Sequence, residues 1–195
     1  MTALLLFPGA GSSSDHPSLV AIAAAVDPMP CRRADFPYRV AGRRAPDRPP
    51  VLLATVRAAA ADLADAAGGP DRLVLGGRSM GGRMCSMAVG DASDPLPAAG
   101  LVLISYPLHP PGRPDRLRVE HFERLGVPCL FVSGTRDAFA TPAELEQWTA
   151  IIPAPVTHHW IDRRGHDLKG VDAEVADVVA AWIAGITSPG PGPRG

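Results

Sequence analysis

The sequence lacks an excess of charge of either sign. Its 19 lysines and arginines nearly balance 20 acids, for a net charge of −1. The arginines are scattered among the acids, so no basic face offers nucleic acid or anionic lipid an electrostatic footprint, and neither partner is expected. Paired cysteines are lacking too: Cys31, Cys85 and Cys129 are odd in number and far apart, with no CxxC and no metal-ligand spacing. They read as small buried hydrophobes in a reducing compartment, and no metal or cofactor is expected. Long apolar runs are absent as well. The opening Met1-Thr-Ala-Leu-Leu-Leu-Phe has no basic flank and is stopped by Pro8-Gly9, too early for a signal peptide. No stretch approaches the ~20 apolar residues of a membrane span. The expectation is a cytoplasmic protein that meets no membrane.

What remains is ordinary globular material. An apolar content of 46% over 195 residues suffices for one domain with a real core, expected over residues 1–187. The tail Ser188–Gly195 is nearly all Pro and Gly and is expected to be disordered. Short apolar runs bounded by Gly and Pro alternate with stretches of helical period. That pattern predicts an α/β fold, a three-layer α/β/α sandwich on a mostly parallel sheet. Strands are predicted at Ala3–Phe7, Cys31–Phe36, Arg72–Leu75, Gly100–Ser105, Cys129–Ser133 and Thr157–Ile161. Their Leu, Val and Ile hardly alternate with polar residues, as suits strands covered on both faces. Helical stripes run through Leu19–Val26, Leu52–Leu63 and Val171–Ile186. Val40–Pro50 and the proline-rich Pro107–Pro114 read as loops.

One motif carries chemistry. Gly77-Arg-Ser79-Met-Gly81 fits G-x-S-x-G, a pattern that a glycine-rich chain can produce by chance. Its context is more specific. A buried strand precedes it, and the proline-free stretch Met80 to Val89 follows as a helix. Strand, sharp turn and helix are what lift a serine hydroxyl clear of a sheet, with glycines two residues either side where a side chain would clash. The helix start also aims N–H groups at the site, where they favour developing negative charge.

A serine hydroxyl needs a base, and the base needs an orienting carboxylate. Asp137 lies just past an apolar strand, and His166 lies in the Arg163-Arg-Gly-His loop after the next one. Both sit at strand C-terminal ends, where open α/β sheets build their sites. Of the six histidines, His16, His109, His121, His158, His159 and His166, only His166 has both the order and the loop. His121 reads as part of a helical stretch. Asp162 and Asp167 rival Asp137, but the first follows the wrong strand and the second adjoins His166. Backbone N–H donors for an oxyanion are expected at Met80 and in the loop Pro8–Ser12, at Ala10 or next at Gly11. That loop lacks the lysine of a P-loop and the third glycine of a dinucleotide fingerprint.

On these residues the chain resembles the α/β-hydrolase superfamily, in particular its compact dienelactone-hydrolase-like branch. Pro8-Gly-Ala-Gly11, Gly77-Arg-Ser-Met-Gly81, Gly134-Thr-Arg-Asp137 and Gly165-His166 fall in that order. The resemblance implies a minimal fold without a large lid, with Ser79 as nucleophile, Asp137 as acid, His166 as base, and Met80 and Ala10 at the oxyanion. Many relatives carry His-Gly where Pro8-Gly9 stands, dienelactone hydrolases use cysteine where Ser79 stands, and the first antiparallel strands of larger members are expected to be missing. The implied activity is hydrolysis of small carboxylic esters or related acyl compounds through an acyl-enzyme, with a small-molecule ester as partner. The alternative is a non-catalytic binding or scaffold protein on the same fold. Tyr106 and His109 either line the pocket or pack the short loop that replaces a lid. The oligomeric state is not readable.

Overall fold

A computed structural model describes residues 2–187, so the tail from Ser188 lies outside the described residues. Six strands form one sheet in the order β2-β1-β3-β4-β5-β6. They are β1 (Ala3–Phe7), β2 (Cys31–Arg33), β3 (Leu73–Arg78), β4 (Gly100–Ile104), β5 (Cys129–Gly134) and β6 (Val156–Ile161). Every neighbouring pair is parallel, so the expected mostly parallel sheet is wholly parallel. Between the strands lie α1 (Pro17–Ala25), α2 (Pro37–Val40), α3 (Pro49–Ala67), α4 (Met80–Val89), α5 (Pro142–Thr149) and finally α6 (Asp172–Thr187).

The apolar strands still alternate, but between two buried faces. Leu5, Phe7, Leu75, Leu103 and Phe131 pack with α3, α4 and α5 residues, whereas Leu4, Leu6, Val74, Val102 and Val132 pack with α1 and α6. Each of β1, β3, β4 and β5 therefore feeds two cores, which explains the missing polar alternation in them. The described helices include none long and apolar enough to cross a membrane.

The boundaries moved where local chemistry overrode the pattern. β2 ends at Arg33 rather than Phe36, because Phe36 is already the N-cap of α2 and Pro37 has no N–H to offer a ladder. α3 begins at Pro49, inside the stretch expected to be loop, since proline is tolerated in the first turn of a helix. α5 follows a capping box at Thr141 and Glu144, two polar residues rather than an apolar stripe. His121 lies in no α-helix. It precedes a single 3₁₀ turn, Phe122–Arg124, and is buried with Nε2 2.8 Å from Ser86 Oγ.

Strand order reverses once. The chain leaves β1 for β2 on one side, then returns past β1 to β3. Loops after β1 and β3 thus part at a switch point, where open sheets of this class form a crevice.

Burial, with Arg83 and Arg124 nearby, pushes the His121 pKa from 6.5 down to about 4. The unfolded chain therefore takes up this proton first, and the contribution of His121 to stability falls as pH drops from 6.5 toward 4. Between about pH 7 and about pH 4.5, wild type is expected to lose about 2–3 kcal/mol more stability than His121→Gln, as urea unfolding at both pH values measures.

Candidate active site

The end of β3 runs directly into the start of α4, with Ser79 as the only residue between. Ser79 has φ 48° and ψ −115°, a left-handed conformation that costs a non-glycine residue on the order of 1–3 kcal/mol. Its backbone is held on both sides. Ser79 N–H donates to Ile104 O at 2.8 Å, and Ser79 O accepts from Arg83 N–H at 3.0 Å.

The motif glycines are explained by a third segment. A Cβ on Gly77 or on Gly81 would run into the Phe7 carbonyl, and Gly77 itself has φ +150°. The tight neighbour of both is thus the end of β1. Because β1 crosses the turn so closely, the loop that follows it is delivered onto Ser79. A Cβ on Gly9 would stand 3.5 Å from Ser79 Cβ. Within that loop Ser12 N–H donates to Gly9 O at 3.1 Å, and Tyr38 OH donates to Ala10 O at 2.8 Å. Ala10 and Gly11 are the central residues of this turn. Both line the cleft over Ser79, and Ala10 lines both halves of it. A Cβ on Gly11 would meet nothing within 4 Å, and one on Gly9 only ordinary van der Waals contacts. Met80 opens α4, where the first N–H groups have no intrahelical acceptor.

Loops after β5 and β6 bring the other two residues. Arg136 N–H donates to Arg164 O at 2.8 Å, Arg163 N–H donates to Thr135 Oγ1 at 2.8 Å, and a Cβ on Gly134 would strike the Arg164 carbonyl. This seam sets His166 between Asp137 and Ser79. His166 Nδ1 lies 2.8 Å from Asp137 Oδ2, and Nε2 lies 2.8 Å from Ser79 Oγ. A carboxylate only accepts, so Nδ1 carries the hydrogen and the Nε2 lone pair faces the serine hydroxyl. Asp137 is 3% exposed, and its Oδ1 also accepts from Phe139 N–H at 2.8 Å. The Phe139 ring stacks on His166 with centroids 4.0 Å apart. The rivals do not reach the ring: Asp162 and Asp167 are exposed, Asp162 near Thr135 and Arg163, Asp167 accepting from Lys169 N–H.

Arg78, the variable residue of the motif, is buried and ties the site together. Its guanidinium donates to His166 O at 2.8 Å and to His16 Nε2 at 2.6 Å. Burial first, then Arg78, holds the His16 pKa below its ordinary value, and burial likewise lowers that of Arg78. His16 carried no signal in the sequence, and Phe139 only its nearness to Asp137.

Of the two readings open for Tyr106 and His109, lining the pocket or packing the loop, the structure shows the second. Ser105, at φ 49°, turns the chain as it leaves β4. Tyr106 is then 1% exposed against Phe122 and Phe131, with its hydroxyl donating to Arg118 O at 2.6 Å. His109 is 5% exposed, and its N–H donates to Phe139 O. Pro107 and Arg118 supply the lining on this side. The cleft has two halves sharing Ala10, Ser79 and Phe139. One, of about 480 Å³, reaches Gly9–Ser12, His16, Arg78 and His166; the other, of about 300 Å³, reaches Met80, Arg83, Pro107 and Arg118. Among the described residues no group of three or more His, Cys, Asp or Glu could hold a metal ion.

Comparison with known proteins agrees with this architecture. Residues 1–183 match the family model described as an alpha/beta hydrolase domain. An alpha-beta serine hydrolase homologue from Coxiella burnetii superposes with a TM-score of 0.74 at 15% identity, covering 93% of this chain and 85% of that one. The thermophilic esterase Est2 from Thermogutta terrifontis, with propionate bound, gives 0.71 at 17% identity, over 100% and 86%. Arabidopsis thaliana SOBER1 gives 0.63 at 14%, over 96% and 100%. At these identities the likeness is one of fold.

The β1 crossing predicts the reverse of helix propensity. Alanine for glycine in a helix ordinarily stabilises by about 1 kcal/mol. Gly81→Ala is expected to destabilise by at least 1–3 kcal/mol, the range of overpacked sites, as a lower urea midpoint would record.

Proposed function

This chain belongs to the alpha/beta hydrolase family, and within it we propose a serine hydrolase that cleaves small carboxylic esters or related acyl compounds through an acyl-enzyme on Ser79. One observation carries the reading: His166 stands at 2.8 Å from both Ser79 Oγ and Asp137 Oδ2, over a serine held in a left-handed turn. A hydroxyl in that position loses its proton to Nε2 as it attacks a carbonyl carbon. The buried Asp137 carboxylate then faces the imidazolium that forms and stabilises it. N–H groups of Met80 and Ala10 take the oxyanion, each donor of this kind being worth ~3 kcal/mol of barrier. His166 passes its proton to the leaving alcohol, then withdraws one from the water that releases the acyl group. Arg78, bonded to the His166 carbonyl, keeps the imidazole from drifting off this line.

The substrate side is short. Tyr106 anchors the loop after β4 against the core, which supports a site without a large lid over Ser79. The Thermogutta terrifontis esterase was solved with propionate bound, and a short acyl group is the corresponding proposal here. The three cysteines are unpaired and two are buried, which supports placing the protein in the cytoplasm.

A fluorophosphonate probe is expected to label the wild type on Ser79 and not to label Ser79→Ala. Asp137→Asn should lower kcat by about 10³–10⁴, as loss of the orienting carboxylate does in serine triads. Among p-nitrophenyl esters, acetate and butyrate should be turned over faster than laurate. A folded protein that resists the probe would sink the hydrolase reading in favour of a binding or scaffold role.

A further inference from the structure

Two guanidiniums border the smaller half of the cleft. Arg83 follows Ser79 by four residues on α4, one helical turn away and on the same face. Arg118 comes from the loop after β4, and its backbone is held in place because Tyr106 OH donates to its carbonyl at 2.6 Å. With Ala10, Ser79, Met80, Pro107 and Phe139 they line this half. Both arginines are half-buried.

Their charge is not met by the protein. Two other half-buried arginines have acids, Arg57 with Asp91 and Asp94 and Arg33 with Asp15, whereas Arg39, which does not line the cleft, has none. Among the described residues no carboxylate lies within 4.0 Å of Arg83 or Arg118. Arg83 Nε is buried and has no hydrogen-bond partner, and Arg118 donates only a 3.3 Å bond to Pro107 O. The two cations also act on each other. Burial, then the like charge of Arg83, lowers the Arg118 pKa, and Tyr106 and the exposed Glu120 offset this only in part. Partly desolvated, mutually repelling guanidiniums beside an otherwise apolar lining are stabilised when an anion enters between them. The cavity of about 300 Å³ admits a chain of a few atoms from Ser79.

We propose that this half of the cleft makes the protein selective for anionic esters, small molecules whose second functional group is a carboxylate held by Arg83 and Arg118 while Ser79 attacks the ester carbonyl. The inference rests on the hydrolase reading for its catalytic step, but not for its binding step. Ester cleavage remains balanced as above: the carboxylate binds without reacting.

The test compares anionic and neutral partners in one protein, so that the ratio of their kcat/KM values cancels effects on the catalytic residues. Monomethyl glutarate against methyl hexanoate places the anion on the acyl side. Acetoxybenzoate against tolyl acetate, both para-substituted, places it on the leaving group. Wild type is expected to favour the anionic ester by about tenfold or more in at least one pair. Arg118→Met and Arg83→Met should each bring that ratio toward one, and Arg118→Lys should retain most of it. A wild-type ratio of one or less in both pairs overturns the proposal. So does a preference that both methionine variants keep. Calorimetry on Ser79→Ala with monomethyl glutarate and methyl hexanoate decides the binding step even if no ester is hydrolysed: tighter binding of the anion by about tenfold sustains it, and equal affinity overturns it. Loss of hydrolysis with retained anion binding would therefore count against the hydrolase reading alone.

Discussion

Backbone from β1 passes against backbone of the β3–α4 turn, with the Phe7 carbonyl lying where a side chain on Gly77 or Gly81 would have to be. The site hangs on that approach. It lets Ser79 keep a left-handed conformation between a strand and a helix. It also places the Pro8–Ser12 loop over the hydroxyl, so one contact joins the nucleophile to one of the expected oxyanion donors. The parallel register of β1 with β3, which pairs Phe7 with Gly77, holds the two segments level. Sheet pairing and site geometry are the same interaction seen from two directions.

The other side of the site uses the same device. Gly134 ends β5 where the Arg164 carbonyl comes in, and Arg136 N–H closes onto that carbonyl. Asp137 and His166 are thereby carried on two loops bound to one another as well as to the sheet. Arg78 then bonds across to the His166 carbonyl, and links the nucleophile's strand to the histidine's loop. Three loops from β3, β5 and β6 are thus joined by a backbone bond and by the Arg78 guanidinium before any side-chain contact between Ser79, His166 and Asp137 is counted. Such support keeps reacting groups within the tolerance that catalysis demands.

Much of this was readable in the chain. The strand centres and helices α1, α3 and α6 follow from apolar runs and stripes, because burial leaves a compositional mark, and α4 follows from the proline-free stretch after the serine turn. Ser79, Asp137 and His166 were legible because sharp turns need glycine and because strand ends collect chemistry. α5 was missed, since its start is written in a Thr–Glu capping box and its eight residues bury only Leu145 and Thr149. The start of α3 at Pro49 reads as loop in the sequence, since the proline that ends one helix can begin another. Tyr106 and His109 were left between two roles, because a residue after a strand can turn either way. Their packing decided it: Tyr106 is buried with its hydroxyl on Arg118 O, and His109 is buried too.

Features with a local cause can be read directly from the order of residues. These are a glycine-flanked serine after a buried strand, an acid and a histidine at later strand ends, and two sets of apolar side chains for two cores. Tertiary structure alone decided what those residues meet. That Gly77 and Gly81 answer to Phe7, that Arg78 holds the His166 loop, and that Arg83 and Arg118 share one cavity all join positions from different elements. Arg83 and Arg118 stand 35 positions apart in sequence. No local rule connects such residues, because the energy that brings them together belongs to the packing of the whole sheet.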